Sequence, residues 1–205
     1  MRSPFSYSGI YALVDPQRRE PIAYTRALLD GGVRVLQLRA KAGIARDLLA
    51  ALVALAHGYK GIVIVNDDVA AALAADGLHL GQEDARGVDL RALRARLGSR
   101  IIGLSCGTPA EARAADADCL DYLGVGPIFA TRSKSDAGNA IGVSGVRAVV
   151  TATTLPCVAI GGIDTTNVRR ARESNARMAA IISALADADD PQQLARELSS
   201  MWNAA

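Results

Sequence analysis

The chain has 205 residues, half of them hydrophobic, with 23 basic against 21 acidic side chains and a net charge of +2. This near balance, with five Tyr, two Phe and one Trp not interleaved with basic residues, argues against a nucleic-acid binder. No run approaches the roughly 18 consecutive apolar residues of a membrane span, and the start, Met1-Arg2-Ser3-Pro4-Phe5, has no apolar core of a signal peptide.

Three cysteines, Cys106, Cys119 and Cys157, are odd in number and widely spaced, which fits neither a disulfide framework nor a zinc site. Cys157 lies in an apolar run and reads as a small buried hydrophobe. The expectation is a cytoplasmic protein with no nucleic-acid or membrane partner.

The first apolar stretch, 10–14, reads as a strand stopped by Asp15-Pro16. Apolar residues at helical spacing follow over 20–29, and Gly31-Gly32 ends that helix. Strand two covers 33–38 and runs into Gln37-Leu38-Arg39-Ala40-Lys41, where alternation sets Gln37, Arg39 and Lys41 on one side. A Leu/Ala-rich helix over 45–57 leads to strand three, 61–66, which ends in Asn66-Asp67-Asp68. A very short helix, 68–74, precedes strand four, 77–80, which ends in Gly81-Gln82-Glu83-Asp84.

A helix over 89–97 stops at Gly98, and strand five covers 100–105. Thr108-Pro109-Ala110-Glu111 has the form of a helix start, with Thr as N-cap, Pro at the first position and Glu at the third, and that helix runs to about residue 115. Strand six, 120–126, is followed by a long loop over 127–142 and a helix over 143–150. Strand seven, 157–160, breaks into Gly161-Gly162; a helix over 165–173, strand eight over 178–182 and an amphipathic helix over 191–202 complete the chain.

Strand and helix alternate eight times. That pattern predicts a parallel sheet covered by helices, and eight units predict a closed (β/α)₈ TIM barrel, α/β in class, as one small domain over 1–205. An open doubly wound sheet is the alternative.

In such a barrel the active site lies at the C-terminal ends of the strands. Polar residues gather there: Gln37, Arg39, Lys41, Asn66, Asp67, Gln82, Asp84, Ser105, then Thr131, Arg132, Ser133 and Lys134, and finally Gly161-Gly162 and Ser183. Asn, Asp and Gly also suit plain turns. Two carboxylates with room for water are nevertheless what Mg²⁺ bound to a substrate phosphate needs, and Asp67 and Asp84 are the candidates.

Arg39, Lys41 and Lys134 beside that ion suit a pyrophosphate. Bare backbone N–H groups after strands seven and eight suit a monophosphate. The Thr131–Lys134 segment reads as a lid of hydroxyls and cations. His79 alternates with Leu78 and Leu80 and is expected to line the barrel, whereas His57 at a helix end is expected at the surface. No Ser-His-Asp or Cys-His set is visible. A metal, a pyrophosphate leaving group and no protein nucleophile suit substitution at an activated carbon.

The segments Q-L-R-A-K, V-N-D-D, D-G-L-H-L-G-Q-E-D, G-L-S-C, D-Y-L-G-V-G-P-I-F-A-T-R-S-K, V-A-I-G-G-I and I-I-S-A follow one another in the order and spacing of the thiamine phosphate synthase family, which this chain resembles over nearly its whole length. The resemblance implies a (β/α)₈ barrel that joins hydroxymethylpyrimidine pyrophosphate to hydroxyethylthiazole phosphate. Pyrophosphate leaves, a pyrimidine-stabilised cation forms, and the thiazole nitrogen attacks to give thiamine monophosphate.

Carried over by motif, Gln37, Leu38, Arg39, Ala40, Lys41, Asn66, Ser105 and Lys134 hold the pyrimidine pyrophosphate. Arg39, Lys41, Ser105 and Lys134 form the catalytic set. The resemblance further implies that Asp67 and Asp84 bind Mg²⁺ and that Thr131, Arg132, Ser133, Gly162, Ile182 and Ser183 hold the thiazole phosphate.

Two departures stand out. The 68–76 segment is about two residues shorter than in the family, and Ser174-Asn175-Ala176-Arg177-Met178 replaces Ala-Gly-Ala-Asp-Gly before strand eight. The rival readings are a thiazole tautomerase on the same barrel and a non-catalytic thiazole-phosphate binder. Retained Asp67, Asp84 and Lys134 argue against the tautomerase. Oligomeric state, with a homo-oligomer among the options, is left open by the sequence.

Overall fold

A computed structural model describes residues 5–40, 42–131, 133 and 138–204. Strand β1 (Gly9–Val14) pairs in parallel with both β2 (Val35–Leu38) and β8 (Met178–Ile181), and the sheet closes through β3 (Ile62–Asn66), β4 (Gly77–Leu80), β5 (Ile101–Cys106), β6 (Tyr122–Val125) and β7 (Cys157–Ile160). The closed barrel, not the open sheet, is the architecture.

Around it lie α1 (Pro21–Asp30), α2 (Arg46–Gly58), α3 (Val69–Ala72), α4 (Leu90–Leu97), α5 (Pro109–Ala114), α6 (Gly142–Thr151), α7 (Val168–Arg172), α8 (Ser183–Ala186) and α9 (Pro191–Asn203). None of the described helices is long and apolar enough to cross a membrane.

Alternation along each strand divides the core in two. In β1, Ile10, Ala12 and Val14 face the helices, while Tyr11 and Leu13 face the barrel axis. The inner cluster holds two buried tyrosines, Tyr11 and Tyr122. A barrel this narrow takes such rings only where a neighbour gives way. A Cβ on Gly103 would lie 2.1 Å from Tyr122 Cζ, and one on Gly124 would lie 2.9 Å from His79 Cε1. Phe5 closes this core at the N-terminal end of the strands, stacked on Tyr122 with ring centroids 4.8 Å apart.

The helix starts follow local chemistry. Thr108 accepts from the Glu111 amide at 3.2 Å, as its N-cap pattern predicts, while Glu111 Oε2 accepts from the Gly107 amide at 2.7 Å. Several boundaries are tighter than the apolar pattern suggests, because side chains intercept the backbone. Strand six starts at Tyr122 and not at 120, since Asp121 accepts from the Ile102 amide at 2.8 Å and pairs with Arg94. The helix expected from 165 starts at Val168, because Asp164 and Asn167 form a side-chain-held turn with Thr166. The 68–74 helix shrinks to α3, capped by Asp68 on the Ala71 amide.

The altered stretch before β8 is absorbed. Arg177 donates to the carbonyls of Ser6 and Tyr7 at 2.9 and 2.8 Å, tying down the N-terminal segment. Met178 pairs with Gly9 on one side and Val158 on the other.

Candidate functional site

The C-terminal ends of the strands open into a cavity of about 790 Å³. Of the residues singled out in the sequence, Gln37, Arg39, Ala40, Asn66, Asp67, Asp84, Ser105, Thr131, Ser133 and Ile182 line it. Leu38 does not: its side chain is turned outward into the helix-facing core, so any part it plays in the cavity is through its backbone. Lys41, Arg132 and Lys134 lie outside the described residues.

Asp67 sits just past β3 with φ of 60°, a conformation that costs a non-glycine residue energy and collects at functional sites. It is held there from several directions. Its amide donates to the His79 carbonyl at 2.9 Å, its Oδ1 accepts from the Gly81 amide at 2.8 Å, and Asn66 donates to its Oδ2.

Asp84 arrives from the turn after β4. A Cβ on Gly81 would lie 2.8 Å from Asp84 Oδ2 and 3.7 Å from Asp67 Oδ1, so the two carboxylates converge over a position that only glycine leaves clear. Among the described residues no group of three or more His, Cys, Asp or Glu gathers. Two hard oxygen donors with open space beside them fit Mg²⁺, which takes its remaining ligands from water and substrate.

On the opposite side, Gly161, which lines the cavity, and its neighbour Gly162, which does not, adopt φ of 105° and 64°. A Cβ on Gly162 would lie 2.4 Å from the Ala130 carbonyl, and the Gly162 carbonyl accepts from Asn167 at 2.8 Å. The turn is therefore clamped between the long loop and α7. The Ser133 hydroxyl reaches that of Ser183 at 3.0 Å, so the loop after β6 is tied to the start of α8.

Deeper in, a polar chain crosses the barrel. Gln37 Nε2 donates to the Tyr11 hydroxyl at 2.9 Å, and the Tyr11 and Tyr122 hydroxyls are 3.1 Å apart. Tyr122 meets His79 Nδ1 at 2.8 Å, and His79 Nε2 meets Ser105 Oγ at 3.1 Å. Burial pushes both phenols well above their ordinary pKa, so each stays protonated. His79 lines the barrel as its alternation predicts.

The tyrosines are the residues that sequence reasoning missed. Tyr11 breaks the outward set of β1, and Gly103 and Gly124 were the size cues for Tyr122 and His79. Cys106 also borders the cavity, but burial raises its thiol pKa and it donates weakly to the Thr108 carbonyl, so it is not an activated nucleophile. His57 is at the surface, 2.9 Å from Asp76 Oδ1.

The sequence matches the family described as thiamine monophosphate synthase over residues 10–185. A thiamine-phosphate synthase of Moorella thermoacetica is 44% identical, with 88% of this chain and 87% of that one covered. Another, of Xanthobacter autotrophicus, is 42% identical over the full length of both. The solved structure of a thiamine phosphate pyrophosphorylase from Pyrococcus furiosus superposes with a TM-score of 0.87 at 32% identity, covering 96% of each chain. A barrel with its polar groups at one rim, a sequence match through nearly all of its strands and relatives of this identity at both levels establish that the chain belongs to the thiamine monophosphate synthase family.

Proposed function

We propose that the protein is an alkyl-group transferase that couples hydroxymethylpyrimidine pyrophosphate to hydroxyethylthiazole phosphate, giving thiamine monophosphate and pyrophosphate. The observation that carries this reading is the convergence of Asp67 and Asp84 over Gly81 at the mouth of the cavity that Ser105 lines more deeply.

The reaction breaks the bond from the pyrimidine methylene carbon to pyrophosphate, whose oxygen keeps the electron pair. The thiazole nitrogen lone pair then forms the new carbon–nitrogen bond. No protein nucleophile is consumed, in keeping with the neutral Cys106 thiol. Asp67 and Asp84 would hold Mg²⁺, which neutralises charge on the departing pyrophosphate. Arg39, at the end of β2, supplies fixed positive charge to the same group, and Lys41 and Lys134 are assigned alongside it. Gln37, Leu38, Ala40, Asn66 and Ser105 orient the pyrimidine part. Thr131, Arg132, Ser133, Gly162, Ile182 and Ser183 hold the thiazole phosphate, with the Ser133–Ser183 contact closing the loop over it.

A coupling assay with both substrates and Mg²⁺, following both products, tests the reading. Stoichiometric thiamine phosphate and pyrophosphate, lost with EDTA and in Asp67→Ala, is the expected result. Binding of thiazole phosphate without product, or its aromatisation without coupling, overturns it.

A further inference from the structure

The polar chain through the barrel has a direction. At one end the Gln37 amide N–H can only donate, and it donates to the Tyr11 hydroxyl. Tyr11 is fully buried and neutral, so its own hydrogen needs an acceptor, and the Tyr122 oxygen stands 3.1 Å away. The Tyr122 hydrogen then passes to His79 Nδ1 at 2.8 Å. A neutral imidazole that accepts at Nδ1 carries its hydrogen on Nε2, which points at Ser105 Oγ across 3.1 Å. One oxygen lone pair of Ser105 is thereby occupied, and the hydroxyl, which borders the cavity, keeps its hydrogen for another acceptor.

We propose that Tyr11, Tyr122 and His79 are positioning residues that fix the Ser105 hydroxyl as a hydrogen-bond donor toward the substrate. With the reaction proposed above, on which this assignment of the acceptor rests, the acceptor is a pyrimidine ring nitrogen and not the exocyclic amine. None of the three side chains need touch the reacting atoms. Gly103 and Gly124 belong to the same device, since a methyl group at either would displace the ring that relays the bond.

The test is a long-range ¹H–¹⁵N correlation spectrum of the full chain, recorded well above histidine's ordinary pKa of about 6.5. Only His57 and His79 contribute to it, and His57→Gln assigns the two. The expected spectrum shows His79 neutral, protonated at Nε2 and bare at Nδ1. Tyr122→Phe is expected to give a mixture of tautomers.

In the coupling assay, Tyr122→Phe and Ser105→Ala should each lower kcat about tenfold, the cost of about one oriented hydrogen bond, with KM for thiazole phosphate unchanged. The double variant should be no slower than Ser105→Ala alone. A hydrogen on Nδ1, or additive losses in the double variant, overturns the inference and leaves the proposed reaction standing. A wild-type protein that shows the Nε2 tautomer but forms no product overturns the reaction, and with it the pyrimidine as acceptor, while the relay remains.

Discussion

The Gly81 amide donates to Asp67 Oδ1 at 2.8 Å, locking the turn after β4 onto the end of β3. The same glycine lies beneath the Asp84 carboxylate, where an added Cβ would come within 2.8 Å of Oδ2. Gly81→Ala should therefore push Asp84 away without disturbing the barrel. The Mg²⁺ concentration for half-maximal coupling should rise about tenfold or more, equivalent to about 1.4 kcal/mol. An unchanged Mg²⁺ titration would show that the two carboxylates do not share an ion.

Ser133 and Ser183 link the loop after β6 to α8 by a hydroxyl pair at 3.0 Å. Removing one hydroxyl removes a bond worth about 1 kcal/mol. Ser133→Ala should raise KM for thiazole phosphate roughly fivefold and leave kcat at saturation nearly constant. Steady-state kinetics in each substrate separately would reveal the split; an effect on the pyrimidine pyrophosphate KM instead would reassign the loop.

Arg94 and Asp121 form an ion pair with side chains only 13% and 10% exposed. Arg94 also donates to the carbonyls of Cys119 and Arg100, at 2.7 and 2.6 Å, and Asp121 holds the Ile102 amide. Arg94→Ala removes the cation that the buried Asp121 carboxylate pairs with and the donor to these carbonyls, and should cost about 3–5 kcal/mol in denaturant unfolding. The exposed pair Arg18–Asp187, with side chains 31% and 63% exposed, provides the contrast: Arg18→Ala should cost at most about 1 kcal/mol.

Alkaline pH offers a global check. Burial raises the pKa of Tyr11, Tyr24 and Tyr122 above 10.0 and that of Cys157 to about 12. Between the unfolded and folded pKa values the native state holds more protons, so stability falls as pH rises. The protein should keep this part of its stability below about pH 9, the thiol's ordinary range, and lose it progressively above pH 10 as the phenols follow. Tyr122→Phe should flatten the decline in Tm; an equally steep decline would mean that the phenol is not the group being forced to ionise.

The barrel was legible because the strands are short apolar runs cut off by polar residues or by glycine, and because eight such runs alternate with helical spacing. The carboxylates were legible for the same reason: Asp67 and Asp84 stand where β3 and β4 stop. Element ends were less so, since Asp121 and Asp164 set them through side-chain bonds to backbone that no periodicity records. The relay from Gln37 to Ser105 was hidden because its members lie 26 to 111 residues apart in sequence and meet only once the strands close. Arg177 read as a disruption at the approach to β8, yet it fastens the chain start through two carbonyls.

That fastening bears on traffic through the molecule. With the Ser6 and Tyr7 carbonyls pinned by Arg177, Phe5 stays wedged under Tyr122 and plugs the far mouth of the barrel. Among the described residues the cavity is a cup, floored beneath Tyr122 by Phe5 and open at the C-terminal ends of the strands. A molecule that settles deepest in such a cup has whatever sits nearer the rim between itself and solvent.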